Sequence, residues 1–174
     1  MSSLPTWVRS PWTLAGAVAV LVLLGRRGYT FGGEPVRSGV DRDPAKLQPR
    51  FARRVEAVFA GMRARGFEPM LWEGYRTPAR AAELSVRGTG ISDSLHANGI
   101  AVDVVDGALW AAGRDPWAAS AAFWAALGQE YERAGITWGG RFSRADRPHG
   151  QAIPVSMQTA FRAASPSEQT RMVA

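Results

Sequence analysis

Two histidines, His96 and His149, are the only imidazoles of the chain, and each has a carboxylate nearby in sequence. Asp103 follows His96 inside the apolar segment 100–105 (IAVDVV), and Asp146 lies three residues before His149. A carboxylate in an apolar strand is expensive to bury unless it is paired or bound to a metal. Two histidines and one carboxylate suffice for a catalytic zinc site that keeps a position for water. Asp146 is then the candidate general base.

The chain has no cysteine, so thiolate nucleophiles, disulfides and cysteine-based zinc sites are excluded. Arg76 follows a predicted strand and could hold an anionic substrate group or a developing oxyanion. Each residue also has a plainer interpretation, because a loop histidine is usually a surface residue and Asp103 or Arg76 could simply be ion-paired. Both histidines lie in patterned segments, which favours the metal site.

The composition indicates one folded domain with enough apolar mass for a core, since 46% of the 174 residues are hydrophobic and 21% are charged. Intrinsic disorder is excluded for most of the chain. The net charge of +6 favours anionic partners such as nucleic acid, acidic lipid or anionic cell wall. The arginines are scattered and form no basic arm, so we expect no nucleic-acid partner.

Residues 10–25 form an uncharged stretch of sixteen residues flanked by arginines. As a helix this stretch would be roughly 24 Å long, short of a hydrocarbon core of roughly 30 Å, unless flanking Arg and Trp side chains extend it. We expect residues 1–27 to be a membrane anchor, with a signal peptide and a core helix as the alternatives. Residues 28–43 are rich in Gly, Pro and charge and indicate a linker.

The rest of the chain predicts mixed helices and strands without a regular βαβ rhythm, so the fold class is α+β. Asp43 and Asp115 each precede a proline and are predicted helix caps. The predicted helices cover residues 44–65, 78–87, 116–134 and 156–163. The predicted strands cover residues 69–75, 100–105 and 136–138, with a last one around Ile153. We expect one folded domain over 44–163 and a frayed tail over 164–174.

The segment SLHANGIAVD at residues 94–103 resembles the Ser-x-His-x-x-Gly-x-Ala-x-Asp signature of a zinc peptidase family. This is the family of zinc D-alanyl-D-alanine carboxypeptidases and L-alanyl-D-glutamate peptidases, which includes cell-wall peptidases and phage endolysins and shares its fold with the hedgehog signalling domain. Three further blocks follow the family's order: EGYRT at 73–77, WGGRF at 138–142 and a DxxH at 146–149. The resemblance covers residues 47–151.

The resemblance implies that His96, Asp103 and His149 bind zinc and that Asp146 is the general base. It also implies that Arg76 contacts the substrate and stabilises the transition state. The implied fold is α+β, with a small antiparallel sheet that carries the metal site and helices packed on one side. In such a site zinc polarises the scissile carbonyl and activates a water molecule for hydrolysis of a peptide bond.

Two further residues are implied to bind substrate: Ser94, which lies close to the metal in the family, and Trp138, whose segment shapes the cleft wall. The chain also departs from the family's pattern. Ala81 stands where endolysin-type members commonly have Gln, Gly150 stands where an aromatic often follows the last histidine, and Arg141 replaces a small polar residue. None of these changes removes a ligand or the base, but they alter the expected substrate pocket.

The expected function is hydrolysis of peptidoglycan stem peptides by a monomeric zinc enzyme, held at the membrane through residues 10–25 with its catalytic domain on the cell-wall side. A virion-associated or secreted enzyme is the alternative location. EGYRT and WGG favour the L-alanyl-D-glutamate endopeptidase over the D,D-carboxypeptidase. A zinc-containing wall-binding module without catalysis, and a basic nucleic-acid-binding or membrane structural protein without stoichiometric zinc, are the remaining alternatives.

Overall fold

The structure is a computed structural model that describes residues 40–88, 90 and 93–173. The described residues form six α-helices and four strands. The helices are α1 (Pro49–Ala64), α2 (Pro78–Val86), α3 (Gly107–Ala111), α4 (Ala121–Arg133), α5 (Gln158–Ala163) and α6 (Pro166–Met172). The strands are β1 (Pro69–Glu73), β2 (Ala101–Asp106), β3 (Thr137–Trp138) and β4 (His149–Gln151).

The predicted N-terminal anchor (1–27) and nearly all of the predicted linker lie outside the described residues, and so does the predicted N-terminal hydrophobic helix. Within the part of the chain that the structure describes, no helix is both long and apolar enough to span a bilayer.

The four strands form one antiparallel sheet in the order β1-β2-β4-β3. Alternate residues of β2 face opposite sides of the sheet. Val102 and Val104 point into the main core, where α1 and α4 pack, whereas Val105 belongs to a second apolar cluster on the other face. The predicted α+β class with a small antiparallel sheet is therefore confirmed. The residues that α1 and α4 bury in the core include Phe51, Val58, Met62, Phe123, Leu127 and Tyr131.

The second face of the sheet carries a smaller tryptophan cluster that the sequence did not predict. The ring of Trp72 on β1 lies edge-on to Trp110 of α3 and to Trp117, with ring centroids 5.6 and 5.3 Å apart. The guanidinium of Arg42 stacks 4.8 Å from the Trp72 ring. Helical residues therefore also cover part of this face, in addition to the helices on the core side.

Strand β1 contains a bulge at Trp72. Leu71 pairs with Val104 and Glu73 pairs with Asp103, so two steps along β1 match one step along β2. A bulge places one extra residue in a strand and redirects the side chains that follow it. Glu73 is thereby brought to the same face of the sheet as Asp103, away from the main core.

The first predicted helix is interrupted, which corrects the expectation of one helix over 44–65. Asp43 caps a short 3-10 turn, Pro44–Lys46, and α1 starts only at Pro49. Proline has no N–H and disfavours helical geometry in the residue before it, so Gln48 is extended with ψ of 134°.

The predicted helix over 116–134 is interrupted for a similar local reason. Asp115 caps a 3-10 turn, Pro116–Ala118, and α4 begins after Ser120, whose side chain accepts a hydrogen bond from the N–H of Phe123. Helix α3 was not predicted, because five residues are too few to show a helical period. It is started by the side chain of Asp106, which accepts from two backbone N–H groups.

The C-terminal region differs from the expectation in two ways. The last strand is His149–Gln151, so Ile153 follows it as a buried core residue rather than lying in it. The tail expected to fray from residue 164 instead forms α6, which Ser165 and Glu168 start with a capping box. Val173, just after α6, is buried, and its carbonyl accepts a hydrogen bond from Arg54 at 2.7 Å.

Candidate metal centre and active site

His96 lies in a short 3-10 turn, Leu95–Asn98, and its backbone N–H donates to the hydroxyl of the capping residue Ser94. The imidazole is almost fully buried, with 2% of the residue exposed. Its Nδ1 lies 2.9 Å from the carbonyl oxygen of Gly74. Because a carbonyl only accepts hydrogen bonds, Nδ1 carries the proton and Nε2 keeps its lone pair. His96 is thereby oriented to bind a metal through Nε2.

The turn ends at Gly99, which adopts a left-handed conformation with φ of +66°. A side chain there would also be excluded by space, since a Cβ atom would lie 2.5 Å from the carbonyl oxygen of Lys46. The glycine lets the chain reverse tightly from His96 into β2.

Asp103 and His149 are direct partners across the β2–β4 ladder. The Nδ1 atom of His149 lies 3.2 Å from Oδ1 of Asp103, and the Nε2 atom of His96 lies 3.6 Å from Oδ2 of the same carboxylate. The ladder therefore fixes two of the three groups, and the turn at His96 brings the third to them.

These three side chains fit a zinc ion. Their candidate ligand atoms all lie within 4.8 Å of one another. Ligand atoms on tetrahedral zinc, at bond lengths near 2.1 Å, are about 3.4 Å apart. The two histidines make separations of 3.2 and 3.6 Å with Asp103, each to a different oxygen of its carboxylate, and both are close to this value. Imidazole nitrogen and carboxylate oxygen are also the donors that zinc accepts in catalytic sites. Zinc is therefore the metal that this ligand set supports.

Asp146 lines a cavity of about 290 Å³ that is also lined by His96, Asp103 and His149. Its backbone N–H donates to the carbonyl of Gly139 at 2.9 Å, and its own carbonyl accepts from the N–H of His149 at 3.2 Å. Partial burial raises the pKa of Asp146, and the charge of Asp103 raises it further. A carboxyl group with a raised pKa is better suited to accept and return a proton near neutral pH.

Burial and neighbouring charges also shift the pKa values of Asp103 and His149. Burial alone raises the pKa of Asp103, but the imidazoles of His96 and His149, when protonated, outweigh burial and hold it well below its usual range. For His149, burial lowers the pKa, whereas contact with the Asp103 carboxylate and the charges of Asp103 and Asp146 raise it overall. Asp103 therefore stays ionised beside the two imidazoles, where its negative charge favours a cation.

Arg76 also lines the cavity, but its guanidinium is already held by the protein. It forms an ion pair with Glu73, lies 3.8 Å from Oδ2 of Asp103, and donates to the hydroxyl of Ser94 at 3.3 Å. The bulge in β1 is what brings Glu73 within reach of this arginine. Ser94 therefore has two structural tasks, since it caps the turn of His96 and supports Arg76.

Trp138 is not among the described residues that line the cavity, and its expected role in binding substrate stays a prediction. Its ring packs against the backbone of Gly128 and Gly140, where a Cβ atom would lie 2.5 and 2.3 Å from ring atoms. Its indole N–H donates to the carbonyl of Arg147 at 2.7 Å. Through these contacts Trp138 holds the loop between β3 and β4, which carries Asp146.

Six residues that line the cavity were not predicted as site residues: Gly90, Leu95, Phe142, Gln151, Gln158 and Arg162. The sequence spacing offered a signal for three of them. Gln151 lies two residues after His149, hence on the same face of a strand, and Gln158 and Arg162 are four apart, hence on one face of a helix.

Comparison with known proteins is consistent with this geometry. Residues 87–152 match the sequence model of a peptidase family described as D-alanyl-D-alanine carboxypeptidase. The matched segment contains His96, Asp103, Asp146 and His149. The resemblance to the zinc peptidoglycan peptidase family is confirmed. The family match and the ligand cluster together support a zinc metallopeptidase. No curated protein sequence matches the chain.

Solved structures with the same fold include the L-Ala D-Glu endopeptidase ChiX of Serratia marcescens, with a TM-score of 0.51 and 23% identity over 66% of this chain and 86% of that one. The D,D-pentapeptidase VanY from a VanB-type vancomycin-resistance cassette, in complex with Zn(II), has a TM-score of 0.46 and 16% identity, covering 68% and 79%. The LD-carboxypeptidase LdcB has a TM-score of 0.45 and 16% identity, covering 74% and 70%.

Proposed function

We propose that this chain is a zinc peptidase that hydrolyses stem peptides of peptidoglycan, as an L-alanyl-D-glutamate endopeptidase. The observation that carries the proposal is the position of Asp146, whose carboxyl group shares one cavity with His96, Asp103 and His149. A ligand set without a neighbouring base would suit a structural or binding role. A ligand set with a base whose pKa is raised suits hydrolysis.

The residues of the cavity have separate roles in the hydrolysis of a peptide bond. His96, Asp103 and His149 would hold zinc, which when bound acts as a Lewis acid toward a peptide carbonyl and lowers the pKa of water. Asp146 accepts a proton from the attacking water and returns it to the leaving amine. Arg76 stabilises negative charge on the substrate or the developing oxyanion, where one well-placed donor is worth roughly 3 kcal/mol.

The substrate class follows from charge as well as from the family. The leaving residue of either candidate bond carries a free carboxylate, and the guanidinium groups of Arg76 and Arg162 line the cavity. The net charge of +6 favours retention on an anionic wall polymer. The motifs EGYRT and WGG favour the endopeptidase, whereas the description of the matched family favours a D,D-carboxypeptidase as the second candidate.

This function requires contact with the cell wall. We propose that the enzyme acts as a monomer on the wall side of the membrane and is anchored through residues 10–25, which lie outside the described residues. A secreted form would act on the same substrate.

The test is incubation of the full chain with purified peptidoglycan, with zinc and with a chelator, followed by mass spectrometry of the released ends. New N-terminal D-glutamate supports the endopeptidase, and free D-alanine supports the carboxypeptidase instead. The matched variant is Asp146→Ala, which should keep stoichiometric zinc and lose turnover. A fully active Asp146→Ala enzyme would remove this residue as the base. Tight zinc binding without any product would indicate a wall-binding module.

A further inference from the structure

Gln151 is a buried residue of β4, and both atoms of its side-chain amide form hydrogen bonds within the protein. Only 1% of the residue is exposed. Its Oε1 lies 3.2 Å from Nε2 of His149 and 3.2 Å from Nε2 of Gln158, while its own Nε2 donates to the carbonyl of Ile153 at 2.6 Å. The glutamine therefore links the second histidine of the cluster to helix α5.

The direction of these hydrogen bonds is fixed from both ends. At one end the Ile153 carbonyl can only accept, so the amide nitrogen of Gln151 points to it and Oε1 points to His149. At the other end Arg162 can only donate, and its Nη2 lies 3.3 Å from Oε1 of Gln158. The amide nitrogen of Gln158 therefore faces Gln151, and a rotated amide at either glutamine would set like groups against each other.

This arrangement determines which nitrogen of His149 carries a proton. Oε1 of Gln151 is an acceptor, so Nε2 of His149 must be the donor. In the neutral imidazole the lone pair is then on Nδ1, the atom that lies 3.2 Å from Asp103. His96 has the opposite arrangement, because its Nδ1 donates to Gly74 and its Nε2 faces Asp103.

We propose that Gln151 is a positioning residue for the metal centre: held by the Ile153 carbonyl and by the Gln158–Arg162 pair, it fixes His149 in the tautomer that presents Nδ1 to the metal. The proposal rests on the metal site put forward above. It assigns helix α5 a part in metal binding although α5 supplies no ligand. Partners that orient a histidine ligand contribute to the affinity of the metal site.

The first test is the zinc affinity of the full chain, measured by competition with a chromophoric chelator. Gln151→Leu should weaken zinc binding by about 10- to 100-fold, the usual effect of losing such a partner. Gln151→Glu keeps an acceptor oxygen toward His149 but replaces the N–H group that donates to the Ile153 carbonyl, so its affinity should lie between those of the wild type and Gln151→Leu. Gln158→Leu should have a smaller effect than Gln151→Leu, because it removes only the group that orients the amide. The matched control is Gln129→Leu, an exposed glutamine on α4 bonded to Arg65, which should leave affinity unchanged.

The second test reads the tautomer directly in the zinc-loaded wild-type chain, by long-range proton–nitrogen NMR of the two imidazoles. We expect His149 to carry its proton on Nε2 and His96 to carry its proton on Nδ1. Metal binding through Nε2 of His149 would overturn the proposal, and so would wild-type zinc affinity in Gln151→Leu.

If Gln151→Leu does not fold, the comparison of Gln151→Glu with Gln158→Leu tests the proposal instead. A Gln151→Glu variant that folds but does not bind zinc would show that an acceptor oxygen beside His149 does not support zinc binding, and this result would overturn the proposal. Neither test uses peptidase activity. A chain that binds zinc through Nδ1 of His149 and cleaves no peptidoglycan would therefore overturn the proposed function alone.

Discussion

Gly139 is the residue whose substitution should best separate the positioning of the base from the stability of the fold. It is buried at the start of the turn that leads from β3 to Asp146. Its carbonyl accepts hydrogen bonds from the N–H of Asp146 at 2.9 Å and from the N–H of Phe142 at 3.0 Å. A Cβ atom at this position would lie 2.4 Å from the carbonyl oxygen of Asp146 and 3.0 Å from Cβ of His149.

The magnitude for Gly139→Ala follows from these contacts. The shortest ordinary contact of a Cβ atom is about 3.4 Å, so the backbone of Asp146 must retreat by about 1 Å, at a cost of about 1–3 kcal/mol in the free energy of unfolding. A misplacement of about 1 Å in a catalytic group can cost about 100-fold in rate. We therefore expect Gly139→Ala to lower kcat/KM by about 100-fold at saturating zinc.

The assay is release of stem-peptide fragments from purified peptidoglycan, quantified by mass spectrometry beside thermal unfolding of the same samples. Gly135→Ala is the matched control, since this glycine has φ of +70° and no atom within 4 Å of the added Cβ. Backbone strain should lower the free energy of unfolding of Gly135→Ala by about 1–2 kcal/mol, a loss comparable to that of Gly139→Ala, while its activity stays unchanged. Wild-type activity in Gly139→Ala, or an equal loss of activity in both variants, would refute the reasoning that this contact positions Asp146.

Three further outcomes are expected. His96→Ala and His149→Ala should each abolish stoichiometric zinc binding and activity, as measured by metal analysis of the purified chain and by the peptidoglycan assay. Zinc at about 100 times its dissociation constant should stabilise the fold by about 2.7 kcal/mol relative to chelator-treated protein, seen as a higher Tm; an unchanged Tm would argue against a preformed site. Ser165→Ala should cost about 1 kcal/mol by removing the cap of α6, with no change in zinc content.

Much of the site could be anticipated because its residues lie in two short segments, 96–103 and 146–149, and have unusual types for their setting. Asp103 is an acid within an apolar strand, and His96 precedes it by one tight turn. The structure places both, with His149 and Asp146, around one cavity. The α+β class was also predictable, because the main helices and strands of the core are long enough to show their repeat of apolar residues.

The remaining wall of the cavity could be predicted only in part, because it comes from distant and ordinary residues. Their spacing puts Gln158 and Arg162 on one face of a helix, but such residues are found on any solvated helix, and only the packing of α5 beside β4 brings them to His149. The interruptions at Gln48 and Ser120 depend on single proline and capping interactions that override the apolar period. Helix α6 was missed because its stability comes from a capping box and from contacts of Val173 rather than from an apolar stripe of its own.

The bulge at Trp72 has a consequence for how strand β1 can change in length over evolution. If the bulge were straightened with all residues kept, Trp72 rather than Glu73 would pair with Asp103, and Glu73 would turn toward the main core. Arg76 would then lose its partner Glu73, and a charged group would enter an apolar interior. Deletion of Trp72 itself would leave Glu73 opposite Asp103, but it would remove the ring that packs against Trp110 and Trp117. Alignments of related sequences should accordingly hold the distance from Pro69 to Arg76 constant.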